Sequence, residues 1–557
     1  MNTSSPRVSA LSLLLAAVAC ACAHLAEAAP AAVASPDRYG AAAAEEVLKA
    51  GGNAVDAAIA TAFALAVTYP EAGNLGGGGF STIVFDGKPY FLDYRERAPG
   101  AASADMYLDA NGNVIPGAST IGSRAAGVPG TVRGLWALHI KFGTLPWARL
   151  VAPAIRYAKD GFVVSGQLER TARAVAQSVE GKTNFAKYFG SLKAGQTFRQ
   201  PELAATLERI ASGGVRGFYE GPTADLIVAQ MKRDRGLITA EDLKAYAARW
   251  RAPLEAEWSG YHVITAPPPS SGGVALIGLL KMRETAAPLF RDVKLNSAQY
   301  VHLTAEIEKR VFADRAEYLG DPDYVDVPVK ALTDDAYLAR RAKEIDPVRP
   351  SATKGVTPGL GPHHNTTHFS IVDHAGNAVS TTYTINDDFG STAVVEGAGF
   401  LLNNEMDDFS AKPGVPNIFG VVGGAANAIA PHKTPLSSMT PTILTKDGKV
   451  ALVIGTPGGS RIFTWVYQVI TNWHDYKLSL KDAVGAIRVH HQLLPENQII
   501  EEPYGQLDAA TKRELAARGY TFDNPGWGGD IETIAIGPNG PVAVADPRGI
   551  GVARVLR

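Results

Sequence analysis

Cysteine is almost missing from this 557-residue chain: there are two, Cys20 and Cys22, both near the start. Once the leading segment is removed no thiol remains, which excludes disulfides, cysteine nucleophiles and thiolate-held metals. An excess of either charge is missing too, since 53 basic residues face 55 acidic ones and the formal net charge is −2. That balance leaves no electrostatic footprint for nucleic acid or an anionic membrane surface. No apolar run beyond the leading segment is long enough to span a bilayer without interruption. There is no internal repeat either. These absences put chemistry on a small molecule first.

The leading segment reads MNTSSPRVSALSLLLAAVACACAHLAEAAP. One basic residue, Arg7, precedes an apolar run from Ala10 to Cys22, and small residues follow for a peptidase. Residues 1–29 are therefore expected to be an export signal, and the mature protein to be periplasmic or secreted. AVAC, ending at Cys20, is a weaker lipid-attachment reading, because the expected leucine is absent and AEA offers a good exit.

Further on, AAAAEEVLKAGGNAVDAAIATAFALAVTYP predicts two helices split at Gly51-Gly52, the second stopping before Pro70. A four-glycine run, residues 76–79, opens a hairpin turning at Asp86-Gly87 and ending in DYRER. The stretch from about 130 to 345 reads as mostly helical, broken by the turn APPPSSGG. After residue 365, strands pair across HAGN, KDGK and PNG, with helices such as FTWVYQVITNW and LKDAVGAIRVHH between them. Antiparallel hairpins with helices gathered around them favour an α+β fold of stacked antiparallel sheets. The glycine-rich hairpin is expected to join the same sheets, so that both halves form one body.

Several tempting motifs fail. The glycine run is followed by no Lys-Ser/Thr and lacks dinucleotide spacing, so close backbone packing is the better reading. His363-His364 and His490-His491 sit in no zinc frame, and adjacent strand residues face opposite ways. PGGSRIF and PLSSM are not nucleophile elbows. No metal and no cofactor is expected.

What remains is HHNTTHFSIVDHAGNAVSTTYTIN, residues 363–386, where Thr366 and Thr367 start a strand behind a turn-prone loop. β-branched residues suit a strand in any case. The sharper reading is that cleavage at Asn365–Thr366 frees a terminal threonine. Its α-amine, with a pKa of about 8, would be a base within the same residue as the hydroxyl nucleophile.

Other patches fit that reading, although each alone is commonly a solvated loop, a turn or a surface ion pair. Glu405, Asp407 and Asp408 in NNEMDDFS suit an ammonium group. Ser437 and Ser438 offer hydroxyl donors, and Gly458-Gly459 offer unobstructed N–H groups for an oxyanion. Arg95 or Arg97 would take a carboxylate bidentately. A ligand with both a carboxylate and an ammonium is an α-amino acid.

AGGNAVDAAIATAFAL, DYRERAPG, TTHFSIVD, NNEMDDFSAKPG, PLSSMTPTI and GTPGGSRI, in that order, resemble the γ-glutamyltranspeptidases (γ-glutamyl transferase/hydrolases), bacterial type. The likeness runs from about residue 35 to the C-terminus. It implies the four-layer αββα sandwich of N-terminal-nucleophile hydrolases. It also implies self-cleavage into a large subunit, residues 30–365, and a small catalytic one, residues 366–557. By the same resemblance, Thr366 attacks the γ-carbonyl and Thr384 supports it, while Gly458 and Gly459 stabilise the oxyanion. Arg95 clamps the α-carboxylate with Ser437 and Ser438; Asn386, Glu405 and Asp408 receive the α-ammonium. The implied donors are glutathione and other γ-glutamyl compounds. The implied acceptors are water, amino acids and dipeptides.

The chain departs from the family pattern in two places. Glu405 stands where several bacterial members have glutamine, and Phe419, in a segment resembling the lid loop, stands where tyrosine is familiar, which implies a looser lid. Three other functions fit part of the pattern: poly-γ-glutamate processing, a cephalosporin (glutaryl) acylase, and a periplasmic amino-acid-binding protein without catalysis. A glutaryl group would leave Glu405 and Asp408 unpaired.

Overall fold

At the Asp86-Gly87 turn, φ is +50° and +71°, the left-handed pair that a two-residue hairpin needs to match strand twist. It joins strands β2 (Gly78–Phe85) and β3 (Lys88–Asp93). The computed structural model describes residues 29–353, 366–412, 415, 424–502, 505–524 and 528–557. The expected export signal through residue 28 with Cys20, the expected cleavage-site residue Asn365 and the expected lid residue Phe419 lie outside them.

Two large antiparallel sheets organise the described residues. The first also contains β1 (Ala31–Ser35), β4 (Arg249–Arg251), β7 (Thr367–Val372), β8 (Ala378–Thr384) and β13 (Val552–Leu556), in the order β13-β1-β7-β8-β2-β3-β4. The second contains β5 (Leu254–Trp258), β6 (Tyr261–Thr265), β9 (Thr442–Lys446), β10 (Lys449–Gly455), β11 (Glu532–Gly537) and β12 (Gly540–Ala545). Its order is β12-β11-β10-β9-β6-β5. Both sheets mix strands from before and after residue 365, as expected.

Side-chain alternation decides the packing. Val84, Val372 and Ala378 of the first sheet meet Ile264, Ile443, Val453 and Ile534 of the second in one apolar layer between the sheets. Their neighbours Ile83, Ile371 and Val379 face the other way, into a core shared with helices α1 (Arg38–Lys49) and α2 (Ala54–Thr68). All fifteen residues of α2 are buried, as its mostly apolar sequence requires, with Asp56, Thr61 and Thr68 the polar exceptions. Asn53 and Asp56 form a capping box at its start. Leu444, Leu452 and Ile454 of the second sheet pack on α3 (Gly272–Thr285), α4 (Ala298–Tyr318) and α5 (Ile462–His474).

The stretch read as mostly helical contains β4, β5 and β6. Strand β5 is an edge strand whose glutamates alternate outward, and a left-handed Ser259-Gly260 turn leads into β6. The helix expected in LKDAVGAIRVHH covers only Leu480–Gly485, and a short strand, Val489–His490, follows it.

Candidate active site

Thr366 stands at the entry to β7. In the β7–β8 ladder Thr367 pairs with Tyr383, so one step back in the antiparallel register sets Thr366 opposite Thr384. Both threonines are buried, at 7% and 2% exposure. Thr384 Oγ1 accepts the Asn386 N–H at 2.7 Å, and its carbonyl accepts Asn74 Nδ2 at 2.9 Å. The glycine run packs against this corner: a Cβ on Gly76 or Gly77 would fall 2.1 Å from the carbonyl oxygen of Leu401 or Thr384. Close approach of backbone is what the four glycines permit.

Thr366 and Thr384 border a small pocket with a cavity volume of about 30 Å³. The same pocket is lined by Arg95, Asn386, Glu405, Asp408, Ser437, Ser438 and Gly459, which the sequence scatters over more than half its length. Arg95 follows β3, and Glu405 and Asp408 share one 3-10 turn, Glu405–Asp408. The Arg95 guanidinium bonds to Glu405 through Nη1 and to Asp408 through Nη2, with Glu96 at 3.9 Å. Asp407 turns elsewhere and accepts Ser119 Oγ at 2.5 Å. Arg97 donates to the Ala247 carbonyl and lies over the Tyr246 ring. Arg95 rather than Arg97, and Glu405 and Asp408 rather than Asp407, thus line the pocket.

Burial pushes the Glu405 and Asp408 carboxyls above their ordinary range, and Arg95 works against that shift. Burial likewise raises Glu96 to about 7. Three carboxylates around one buried guanidinium make a cluster with surplus acid, which a ligand cation relieves.

The serine loop lies beside Arg95, whose Nη2 donates to the Leu436 carbonyl at 3.3 Å, and Ser437 Oγ accepts the Met439 N–H at 3.1 Å. Gly459 begins the 3-10 turn Gly459–Arg461 that runs into α5, so its N–H lies at the positive end of a helix. Gly458 stands behind it with φ +138°, and a Cβ there would strike the Trp465 ring at 2.5 Å.

Two contributors escaped sequence reasoning. Arg315, on α4, borders the pocket and donates to Ser438 Oγ at 3.0 Å. Its run, ADRAEYLG, carries the charges of a solvated helix and gives no signal of burial. Glu71 lines a second pocket that also reaches Thr366, and neither of its carboxylate oxygens has a hydrogen-bond partner among the described residues. Burial raises it to about 8.

The family model for gamma-glutamyltranspeptidase matches residues 40–556. The chain belongs to the gamma-glutamyltranspeptidase family. It is 60% identical over 527 residues to a glutathione hydrolase proenzyme of Pseudomonas aeruginosa, with 94% of each chain covered. Among solved structures it resembles a gamma-glutamyltranspeptidase from Pseudomonas nitroreducens complexed with L-DON. That match has 58% identity and a TM-score of 0.58, covering 58% of this chain and 97% of that one. A cephalosporin acylase from Bacillus halodurans matches at 27% identity and a TM-score of 0.81, with 95% and 96% covered. The mixed helix-and-sheet fold with stacked antiparallel sheets therefore has neighbours among transpeptidases and acylases alike.

Proposed function

We propose that the chain is the precursor of a self-processing γ-glutamyltransferase and glutathione hydrolase with Thr366 as its N-terminal nucleophile. The observation that carries the reading is the shared pocket: the threonine corner and the Arg95–Glu405–Asp408 cluster line one small space. A γ-glutamyl group brings a carboxylate and an ammonium on one carbon, and its γ-carbonyl two methylenes away.

In this reading Thr366 Oγ1 attacks the carbonyl of residue 365, and the C–N bond breaks to free the α-amine and leave an ester; water then hydrolyses that ester, freeing the Thr366 hydroxyl and the carboxylate of residue 365. That amine then takes the hydroxyl proton as Oγ1 attacks the γ-carbonyl. Gly458 and Gly459 N–H groups hold the oxyanion, and the leaving amine takes the proton back. Arg95, Ser437 and Ser438 receive the α-carboxylate; Asn386, Glu405 and Asp408 receive the ammonium. Water or an acceptor amine of an amino acid or dipeptide completes the turnover. The coverage of the Pseudomonas nitroreducens chain supports the division at residue 365, because a nearly whole partner spanning 58% of this chain has the length of a large subunit.

Further parts of the proposal are the αββα arrangement in four layers, the heterodimer of residues 30–365 and 366–557, and an exported, periplasmic location. No helix among the described residues is long and apolar enough to cross a membrane. A glutaryl acylase is the weaker alternative, because its substrate would leave the acidic half of the cluster without a cation. Poly-γ-glutamate presents the same amino-acid head at its terminus and falls within the proposed donor class.

Denaturing electrophoresis of purified protein, with release of p-nitroaniline from γ-glutamyl-p-nitroanilide, tests the reading. Two bands, with Thr366 leading the smaller, and faster release with glycylglycine are expected; Thr366→Ala is expected to give one inactive band. Full turnover by an unbroken chain overturns it.

A further inference from the structure

The turn APPPSSGG has no part in the chemistry above, yet the structure sets it directly behind the serine loop. Ser271 begins α3, and its N–H and Oγ both donate to the Ser437 carbonyl, each at 2.7 Å. Ser270 Oγ donates to the Met439 carbonyl at 2.6 Å, and the Ser437 N–H donates to the Pro269 carbonyl at 2.9 Å. Arg315 completes the assembly from α4. It is buried, at 6% exposure, and its planar fork reaches both pieces: Nε donates to Ser271 Oγ at 2.9 Å and Nη2 to Ser438 Oγ at 3.0 Å.

Donor and acceptor roles in this assembly follow from the chemistry of the groups. A guanidinium only donates, so Ser438 Oγ must accept from Arg315. Ser437 Oγ likewise accepts the Met439 N–H. Each hydroxyl keeps one proton, and neither donates it to a described protein acceptor, while both side chains border the pocket. On the proposed reading of this site as a γ-glutamyl pocket, we infer that Arg315 is a positioning residue that makes Ser438 a donor toward the substrate α-carboxylate. Through Ser271 it also holds the carbonyl of Ser437, and so the pitch of the whole serine loop. The device selects for an anionic acceptor at the α-position.

Lysine keeps the charge but not the fork, since one ammonium on a flexible stem cannot hold both serines in fixed directions. The test compares γ-glutamyl-p-nitroanilide with its α-carboxamide counterpart in wild type, Arg315→Lys, Ser438→Ala and the double variant. Arg315→Lys is expected to raise KM for the carboxylate donor about tenfold and change kcat less than threefold, a loss of about 1.4 kcal/mol in binding. KM for the carboxamide should move less than twofold. The double variant should be no worse than the poorer single one, because both changes remove the same contact.

Equal losses on both donors, or additive losses in the double variant, overturn the inference and leave Arg315 a packing role. If Arg315→Lys does not fold or cleave itself, Ser271→Ala replaces it. That variant frees one arm of the fork and should raise KM for the carboxylate donor about threefold; an unchanged KM overturns the inference. Failure of the wild type to acylate with either donor would sink the parent reading instead, so the two failures are distinguishable.

Discussion

Gly77 sits so close to Thr384 that a Cβ on it would lie 2.1 Å from the Thr384 carbonyl oxygen. Asn74 ties the pair together, accepting the Gly77 N–H at 3.0 Å and donating to the Thr384 carbonyl at 2.9 Å. Since β8 carries Thr384 opposite Thr366, anything that displaces Thr384 moves the support of the nucleophile. Gly77→Ala should therefore lower kcat at least tenfold and slow self-cleavage. The overpacking should destabilise the protein by about 1–3 kcal/mol. Thermal unfolding and a time course of band splitting check both effects.

Asp408 meets Arg95 on one side and faces the proposed ammonium position on the other. Asp408→Asn removes that charge and should raise KM for γ-glutamyl donors by about 10–100-fold, the size of a charged hydrogen bond. For a glutaryl donor, which has no ammonium, the same change removes a carboxylate that meets no cation on the ligand. The ratio of kcat/KM for glutaryl over γ-glutamyl substrates should rise accordingly. An unchanged ratio would argue that Asp408 does not read the head group.

Local turns were readable because their chemistry is local: Asp86-Gly87 and Asp447-Gly448 adopt the left-handed backbone that their residue types allow. The pairing of Thr366 with Thr384 was also within reach, since HAGN sets the register of the hairpin that carries both. Strands β5 and β6 were overlooked although Ser259-Gly260 marks their turn, because helical neighbours on both sides outweighed two five-residue runs. Arg315 was out of reach for a different reason. On α4 it follows Glu306, Glu308, Lys309 and Arg310, all buried, with Glu306 paired to both Lys309 and Arg310. Periodicity cannot tell a buried, self-paired charged face from a solvated one. Spacing alone could not choose Arg95 over Arg97, or Asp408 over Asp407; the family resemblance chose, and the contacts that distinguish them join residues more than 300 positions apart.

Arg488 is fully buried and forks onto Glu502 at 3.0 and 2.8 Å, with Asp546 at 2.8 Å. Glu502 follows the strand Gln498–Glu501 and Asp546 follows β12, so the arginine ties the end of the second sheet to the small sheet that Val489–His490 and Gln498–Glu501 form. Arg548 also meets both acids, Glu502 at 3.1 Å and Asp546 at 3.0 Å. Arg488→Met therefore leaves two buried carboxylates sharing one cation and should cost about 3 kcal/mol, the low end for a broken buried pair. Chemical denaturation is expected to show a lower midpoint with an unchanged slope. Recovery of stability in a variant that also carries Glu502→Gln and Asp546→Asn would identify the stranded charges as the cause.

Glu71 provides a pH signature. Burial pushes its carboxyl from 4.5 to about 8, and both of its oxygens lack hydrogen-bond partners among the described residues. Between those two values the folded protein holds a proton that the unfolded chain has released, so folding takes up protons and stability falls as pH rises. The contribution is fully present below about pH 4.5 and lost as pH passes through about 8. Glu71→Gln cannot release a proton, so it abolishes this slope. The difference in Tm, variant minus native, should therefore grow steadily from pH 5 to pH 8.5, whatever constant offset the amide introduces at low pH. A difference that stays flat across that range would mean the Glu71 carboxylate is already charged and stabilised in the folded protein, with a cation or donor reaching it in the pocket beside Thr366.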